Sequence, residues 1–293
     1  MVDRRIVPLG LLLLAVGIAA TALLGPLATN TIDYRFSENM ERQTMGGDAV
    51  LLFVVAPALG LAGYLWIKGR RLAPLLALGA AAYTAYTFLG FILIPDYARY
   101  AGNNEAYFPL FVSVLALSVS LGVLAWSALG RQALPEAPRR LRRITAGVLA
   151  LIALLVGLTW TRQIADVIGG SYSSEYLEHP AAFWLIRTLD FGFVIPAALA
   201  TAIGLWRGRP AALRSACGLV GFLTLMLAAI AAMAVVLSAR DDPAAEPGAL
   251  AFLIPALAGL ALLTWKLWSG GGTPSAPQPG MTEPGELGAQ PQR

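Results

Sequence analysis

Arg187 and Asp190 stand three positions apart in the stretch 184–196, which is otherwise almost wholly apolar. On a helix that spacing puts both side chains on one face, within reach of an internal ion pair. A charge in hydrocarbon costs about 2.5–3.5 kcal/mol on insertion scales, so each must face protein or water and have a partner. Such a pair can hold a charged substrate or pass a proton; equally, it can be a neutralised pair that locks helix packing. Pro196, six residues beyond Asp190, frees a carbonyl close to the pair.

Further polar residues recur at helical spacing. Asp48 follows Gly46 and Gly47, where it reads either as an N-cap on the positive end of a helix dipole or as a second intramembrane acid. Gly79, Tyr83, Tyr86 and Gly90 follow at i, i+4, i+7 and i+11, one continuous stripe with Thr84 and Thr87 beside it. Glycines let a neighbouring helix approach, and the tyrosine hydroxyls could line a cavity. Ser113 and Ser120 make a smaller stripe of the same kind. The segment 171–179, with Tyr172, Glu175, Tyr176, Glu178 and His179 ahead of Pro180, reads as a solvated loop or as a cap over a cavity. The candidate intramembrane polar site is therefore Arg187, Asp190, Tyr83, Tyr86 and Asp48.

Several chemistries are excluded. A single cysteine, Cys217, allows no intrachain disulfide and no multi-cysteine metal site, and it reads as a small apolar filler. A single histidine, His179, allows no bis-histidine haem. The sequence has no Walker lysine after a glycine-rich loop, no zinc-protease motif and no Ser–His–acid signature. The expectation is a protein with no catalytic residues, metal or cofactor. The basic segment 139–143 reads as a topology anchor touching anionic lipid, so no nucleic-acid partner is implied.

The elements that must position these residues are long. Of 293 residues, 57% are apolar and only 13% charged, about half the charge of a soluble domain. Apolar runs of about 20 residues, enough to cross a hydrocarbon core, recur along the chain. They predict spans at roughly 6–28, 48–67, 72–94, 107–129, 144–161, 182–206, 215–238 and 249–268, helical because only a helix satisfies its own backbone in lipid. The fold class is an all-α transmembrane bundle of about eight spans. Fifteen of the Lys and Arg residues fall on one side of this arrangement and five on the other, with Arg187 inside a span. The positive-inside bias then predicts that both termini are cytoplasmic, which requires an even number of spans. Tryptophans 66, 126, 160, 184, 206, 265 and 268 all fall near span ends, where an aromatic belt is expected. The first span also carries small residues, Ala20 and Ala22, that resemble a signal-peptide cleavage site, but its apolar run is longer than usual for one, and a retained helix is expected. The Gly-, Pro- and Gln-rich residues 269–293 bury nothing and read as a disordered tail.

The two halves, 1–143 and 144–268, look alike. Phe53 to Trp66, with Pro57, runs into Lys68-Gly69-Arg70, and Phe193 to Trp206, with Pro196, runs into Arg207-Gly208-Arg209; an acid precedes each, Asp48 and Asp190. The expectation is a tandem four-span repeat, with any pseudo-symmetry axis along the membrane normal. The alternative is shared composition among apolar helices that end in Trp and Arg.

The patches 47–52, 79–88 and 189–196 resemble ones shared among bacterial polytopic integral membrane proteins left as uncharacterised; the abundance of Arg over Lys fits a high-GC bacterial source. The resemblance covers about half the chain. It implies the fold, singles out Asp48, Tyr83, Tyr86 and Asp190, and transfers no reaction. The expected place is the bacterial cytoplasmic membrane. The leading expectation for function is binding or passage of a small solute or ion within the bundle. The alternatives are a non-catalytic scaffold or sensor that binds another membrane protein, and, least supported, a lipid-modifying enzyme.

Overall fold

Hydrophobic length and Gly–Pro punctuation set most helix ends. The computed structural model describes residues 6–131, 137–243, 245, 246 and 248–269. Within them the chain forms nine helices, eight of which are long and apolar enough to cross a bilayer. They are α1 (Ile6–Leu24), α2 (Glu38–Ile67), α3 (Leu72–Leu93), α4 (Asn104–Arg131), α5 (Arg139–Ile168), the short α6 (Ser174–Glu178), α7 (Pro180–Trp206), α8 (Pro210–Ala239) and α9 (Ala249–Ser269). The protein is an all-α polytopic membrane bundle. The tail expected over 269–293 lies, from residue 270 onward, outside the described residues.

Several helix ends differ from the sequence expectation: α5 and α8 each begin five residues early, at Arg139 and Pro210, and three other ends bear on the candidate residues. α1 stops at Leu24, just before Gly25-Pro26. α2 begins ten residues before its apolar run, because Ser37 caps it by accepting the Met40 N–H (3.3 Å) and Glu38 and Glu41 sit in the first turn, where the helix dipole favours acids. Asp48 is therefore an interior residue and not an N-cap. α5 continues past Thr161 to Ile168, which carries Trp160 and Gln163 inside an unbroken helix.

Large apolar side chains cover the outside. Leu151, Leu154, Leu155 and Leu158 of α5 face outward, and Phe252 of α9 is 80% exposed. In water that surface would aggregate; in a bilayer it is the lipid-facing side. Inside, α8 packs against α2, α3, α7 and α9. Small residues permit the closest crossings. A Cβ on Gly46 would come to 2.5 Å from the Met233 backbone nitrogen, and one on Gly79 to 3.3 Å from the backbone of Gly221. α9 leans on α8 through the Thr224 and Thr264 hydroxyls (2.9 Å) and the Trp268 indole N–H, which donates to the Cys217 carbonyl (3.3 Å).

The two ends of the bundle differ. At the arginine-rich end the Arg143 guanidinium lies over Trp206 (5.1 Å) and that of Arg214 over Trp126 (5.0 Å). At the other end the connecting loops are stapled together. Arg35 donates to Glu105 (2.7 Å) and to the Tyr100 carbonyl (2.8 Å), and Arg99 donates to the carbonyls of Leu177 (2.6 Å) and Glu178 (3.0 Å). The Ser37 N–H donates to His179 Nε2 (2.7 Å), which joins the loop before α2 to the start of α7. His179 is thus buried, while residues 171–175 and Leu177 stay exposed: the segment 171–179 faces solvent along most of its length, as one expectation had it, and is docked at His179.

Two helices share a further irregularity. α2 carries a π turn at Leu51–Val55 and α7 one at Asp190–Val194, each closed by a bond to a carbonyl five residues back: Ala56 N–H to Leu51 O, and Ile195 N–H to Asp190 O. Each π turn ends two residues before a proline, Pro57 or Pro196, which has no N–H to continue the regular ladder. π turns inside helices concentrate at functional sites.

Candidate functional site

The five candidate residues separate into two polar centres, with α3 between them. The first is built around α7. Arg187 is almost completely buried (2% exposed), and its guanidinium is held on several sides. Nη1 donates to Glu175 Oε1 (3.2 Å) on α6 and to the Phe183 carbonyl (3.3 Å), and Nη2 donates to Gln163 Oε1 on α5. The planar cation also lies against two rings, Phe183 at 3.8 Å and Trp160 at 4.3 Å, an arrangement that gains strength when desolvated.

Asp190 draws on the same tryptophan. Trp160 Nε1–H donates to its Oδ2 (2.7 Å), and the Tyr86 hydroxyl donates to its Oδ1 (3.2 Å). One indole therefore serves both charges, its face toward the cation and its N–H toward the carboxylate. The expected internal ion pair is not the arrangement found: among the described residues the ion-pair partner of Arg187 is Glu175, while Asp190 is satisfied by neutral donors. The reason is geometric. The segment expected as a loop folds back as α6 and brings a carboxylate to the outer side of Arg187.

Above this cluster, on the loop-stapled end, lies a recess of about 340 Å³. Its walls include Gln163, Asp166, Tyr172, Glu175 and Phe183. Three of these, Gln163, Glu175 and Phe183, are the groups that hold the guanidinium. Arg187 sits behind the wall rather than in it.

The second centre is Asp48 on α2. It is fully buried, and neither carboxylate oxygen has a hydrogen-bond partner. The Tyr34 hydroxyl, from the loop before α2, is also buried and unpartnered; burial, with Asp48 nearby, holds that phenol well above its ordinary range. Tyr83, buried on α3, lies within electrostatic reach of Asp48. Tyr83 thus belongs with Asp48 and Tyr86 with Asp190, though one helical stripe carries both. Gly79, on the same stripe, serves packing against α8.

Trp160, Gln163 and Tyr34 are not among the sequence candidates, and Glu175 enters there only as part of the segment 171–179, as loop or cap. Trp160 reads as part of the aromatic belt because the apolar run ends near it, and the continuation of α5 turns it inward. The available signal was the spacing of Trp160 and Gln163 at i, i+3, which places both on one face of a continued helix. Among the described residues no group of three or more His, Cys, Asp or Glu side chains is placed to hold a metal ion.

The fold and these centres define a multi-pass membrane protein with two buried polar sites. No protein-family model matches the chain, and neither a curated protein nor a solved structure does.

Proposed function

We propose that this protein binds a small solute or ion within its bundle and carries it across the bacterial cytoplasmic membrane. Both termini would be cytoplasmic and the recess would open on the extracytoplasmic side, as the distribution of arginines requires. The observation that carries the proposal is that the residues walling the recess also hold Arg187. Two carboxylates, Asp166 and Glu175, and two aromatic rings, Tyr172 and Phe183, favour a small cation. A cation that engages Glu175 competes with Arg187 for it. The released guanidinium then has Asp190 three residues along its own helix, next to the π turn where α7 departs from the regular ladder. Exchange of the Arg187 partner from Glu175 to Asp190 would couple occupancy of the recess to the bend of α7. The similar placement of the π turns in α2 and α7 supports our further proposal that 1–143 and 144–268 are duplicated halves.

The test is uptake of methylammonium and of rubidium by proteoliposomes that contain the full chain, compared with the double variant Arg187→Gln, Asp190→Asn. The expected result is uptake by the wild type and its loss in the variant. Equal uptake by both would remove these residues from the function. Co-purification of a stoichiometric membrane partner, with no flux in any preparation, would favour a scaffold instead.

A further inference from the structure

Asp48 sits in surroundings that suit neither an anion nor a bound metal ion. Among the described residues no Arg, Lys or His forms an ion pair with it, and both its oxygens lack hydrogen-bond partners. A carboxylate left in that state bears the full cost of desolvation. Space is equally restricted. A Cβ on Gly25 of the α1 exit would come within 2.8 Å of Asp48 Oδ2, 3.2 Å of the Thr21 carbonyl and 3.5 Å of the Tyr34 ring. From α8, the Met233 methyl group closes on Gly47, beside Asp48. A metal cation needs several oxygen ligands, whereas a proton needs neither ligands nor room.

Among the described residues the titratable groups within electrostatic reach of Asp48 are two phenols, Tyr34 from the loop and Tyr83 from α3. Tyr34 is the better placed to respond, because its hydroxyl has nothing to bond to. Its ring stacks on Phe36 and Phe91, each at 5.2 Å, and on Phe111 at 6.1 Å.

We propose that Asp48 is a proton-binding site: a carboxylic acid inside the membrane that reversibly exchanges one proton with water. When the proton leaves, the Tyr34 O–H becomes the hydrogen-bond donor that the carboxylate requires, and reprotonation returns both groups to the arrangement seen. The site is separate from the recess and requires no solute there, so it stands or falls independently of the transport reading.

The experiment is infrared difference spectroscopy of the full chain in lipid nanodiscs, wild type against Asp48→Asn, across pH and after transfer to D₂O. The expected result is a carboxylic-acid C=O band in the wild type that is lost in Asp48→Asn, shifts in D₂O and disappears as pH rises. Absence of that band near neutral pH would overturn the proposal. So would a band that ignores both D₂O and pH, which marks a static acid, or one abolished by sodium at constant pH, which marks a metal-ion site. Should Asp48→Asn fold poorly, Asp48→Glu supplies the same test, because the band must then move in frequency.

Discussion

In α2 the π turn begins three residues after a carboxylate that touches no donor; in α7 it begins at a carboxylate held by an indole and a phenol. Counted back from each proline, the partner of Asp48 in α7 is Arg187, nine residues before Pro196 as Asp48 is nine before Pro57. Asp190 falls opposite Leu51. One backbone device thus presents an unmatched acid in the first half and, in the second, a cation whose two Nη groups are engaged while its Nε is buried without a partner, with an added acid one turn further on. The surroundings follow the same division. α2, which carries Asp48, has 39% of its most apolar stretch buried, whereas α7, which carries Arg187 and Asp190, has 28%. The centre on α2 leaves its acid without donors, and the centre on α7 supplies them. The difference shows that burial alone does not define a polar site in a membrane; the supply of donors does.

The contrast predicts effects of opposite sign. Replacing Arg187 with Met removes the charged hydrogen bond to Gln163, the pair with the half-exposed Glu175 and two ring contacts, a loss on the order of 2–3 kcal/mol, the range of a hydrogen bond to a charged group or a desolvated cation–ring contact. Replacing Asp48 with Leu removes two unsatisfied oxygens and should stabilise the fold by about 1 kcal/mol, the lower end of what such groups cost. Thermal unfolding in detergent measures both, and destabilisation by Asp48→Leu would mean that Asp48 has partners. The cramped setting of Asp48 gives the next effect. Gly25→Ala pushes a methyl group against Oδ2 and should cost about 1–3 kcal/mol, the usual penalty for overpacking. Much of that cost should vanish in the Asp48→Ala background, because the two residues share one contact; full additivity would show that the Thr21 carbonyl alone resists the methyl group.

The furnished centre can be dissected more finely. Trp160→Phe keeps a ring beneath Arg187 but removes the 2.7 Å bond to Asp190, for a loss of about 1.5 kcal/mol, at the low end for hydrogen bonds to charged groups. Tyr86→Phe removes the longer 3.2 Å bond and should cost less than Trp160→Phe. The reverse order, read from the same unfolding curves, would make Tyr86 the main support of Asp190.

The spans were legible because hydrophobic length is a property of contiguous residues, and Arg187 and Asp190 stood out because charge is conspicuous inside such runs. Their partners were not legible. Glu175 belongs to a segment that looks like solvated loop until its return over α5 and α7 is known, and Trp160 is indistinguishable from belt tryptophans until α5 is seen to continue. The isolation of Asp48 depends on Gly25, Tyr34 and Tyr83, contributed by three separate segments, and no local pattern encodes their meeting. The start of α2 was missed because polar residues, capped by Ser37, extend a helix beyond the membrane without any apolar signal.

The stapled loop layer gives the smallest effect, and pH exposes it. His179 accepts the Ser37 N–H at Nε2, so the bond requires that nitrogen unprotonated, while its Nδ1 is buried without a partner. Burial pushes the imidazole below its ordinary value, outweighing the opposing pull of Glu178 and Asp96. A folded-state value below the unfolded one means that protonation favours the unfolded chain. The contribution of His179 is therefore complete above its unfolded value, about 6.5, and drains away as pH falls from there through the folded value. In His179→Gln the side-chain oxygen can still accept from Ser37 but cannot titrate. Wild-type unfolding temperature should therefore fall more steeply than that of His179→Gln as pH drops below about 6.5, and parallel curves would show that the imidazole does not govern the loop layer.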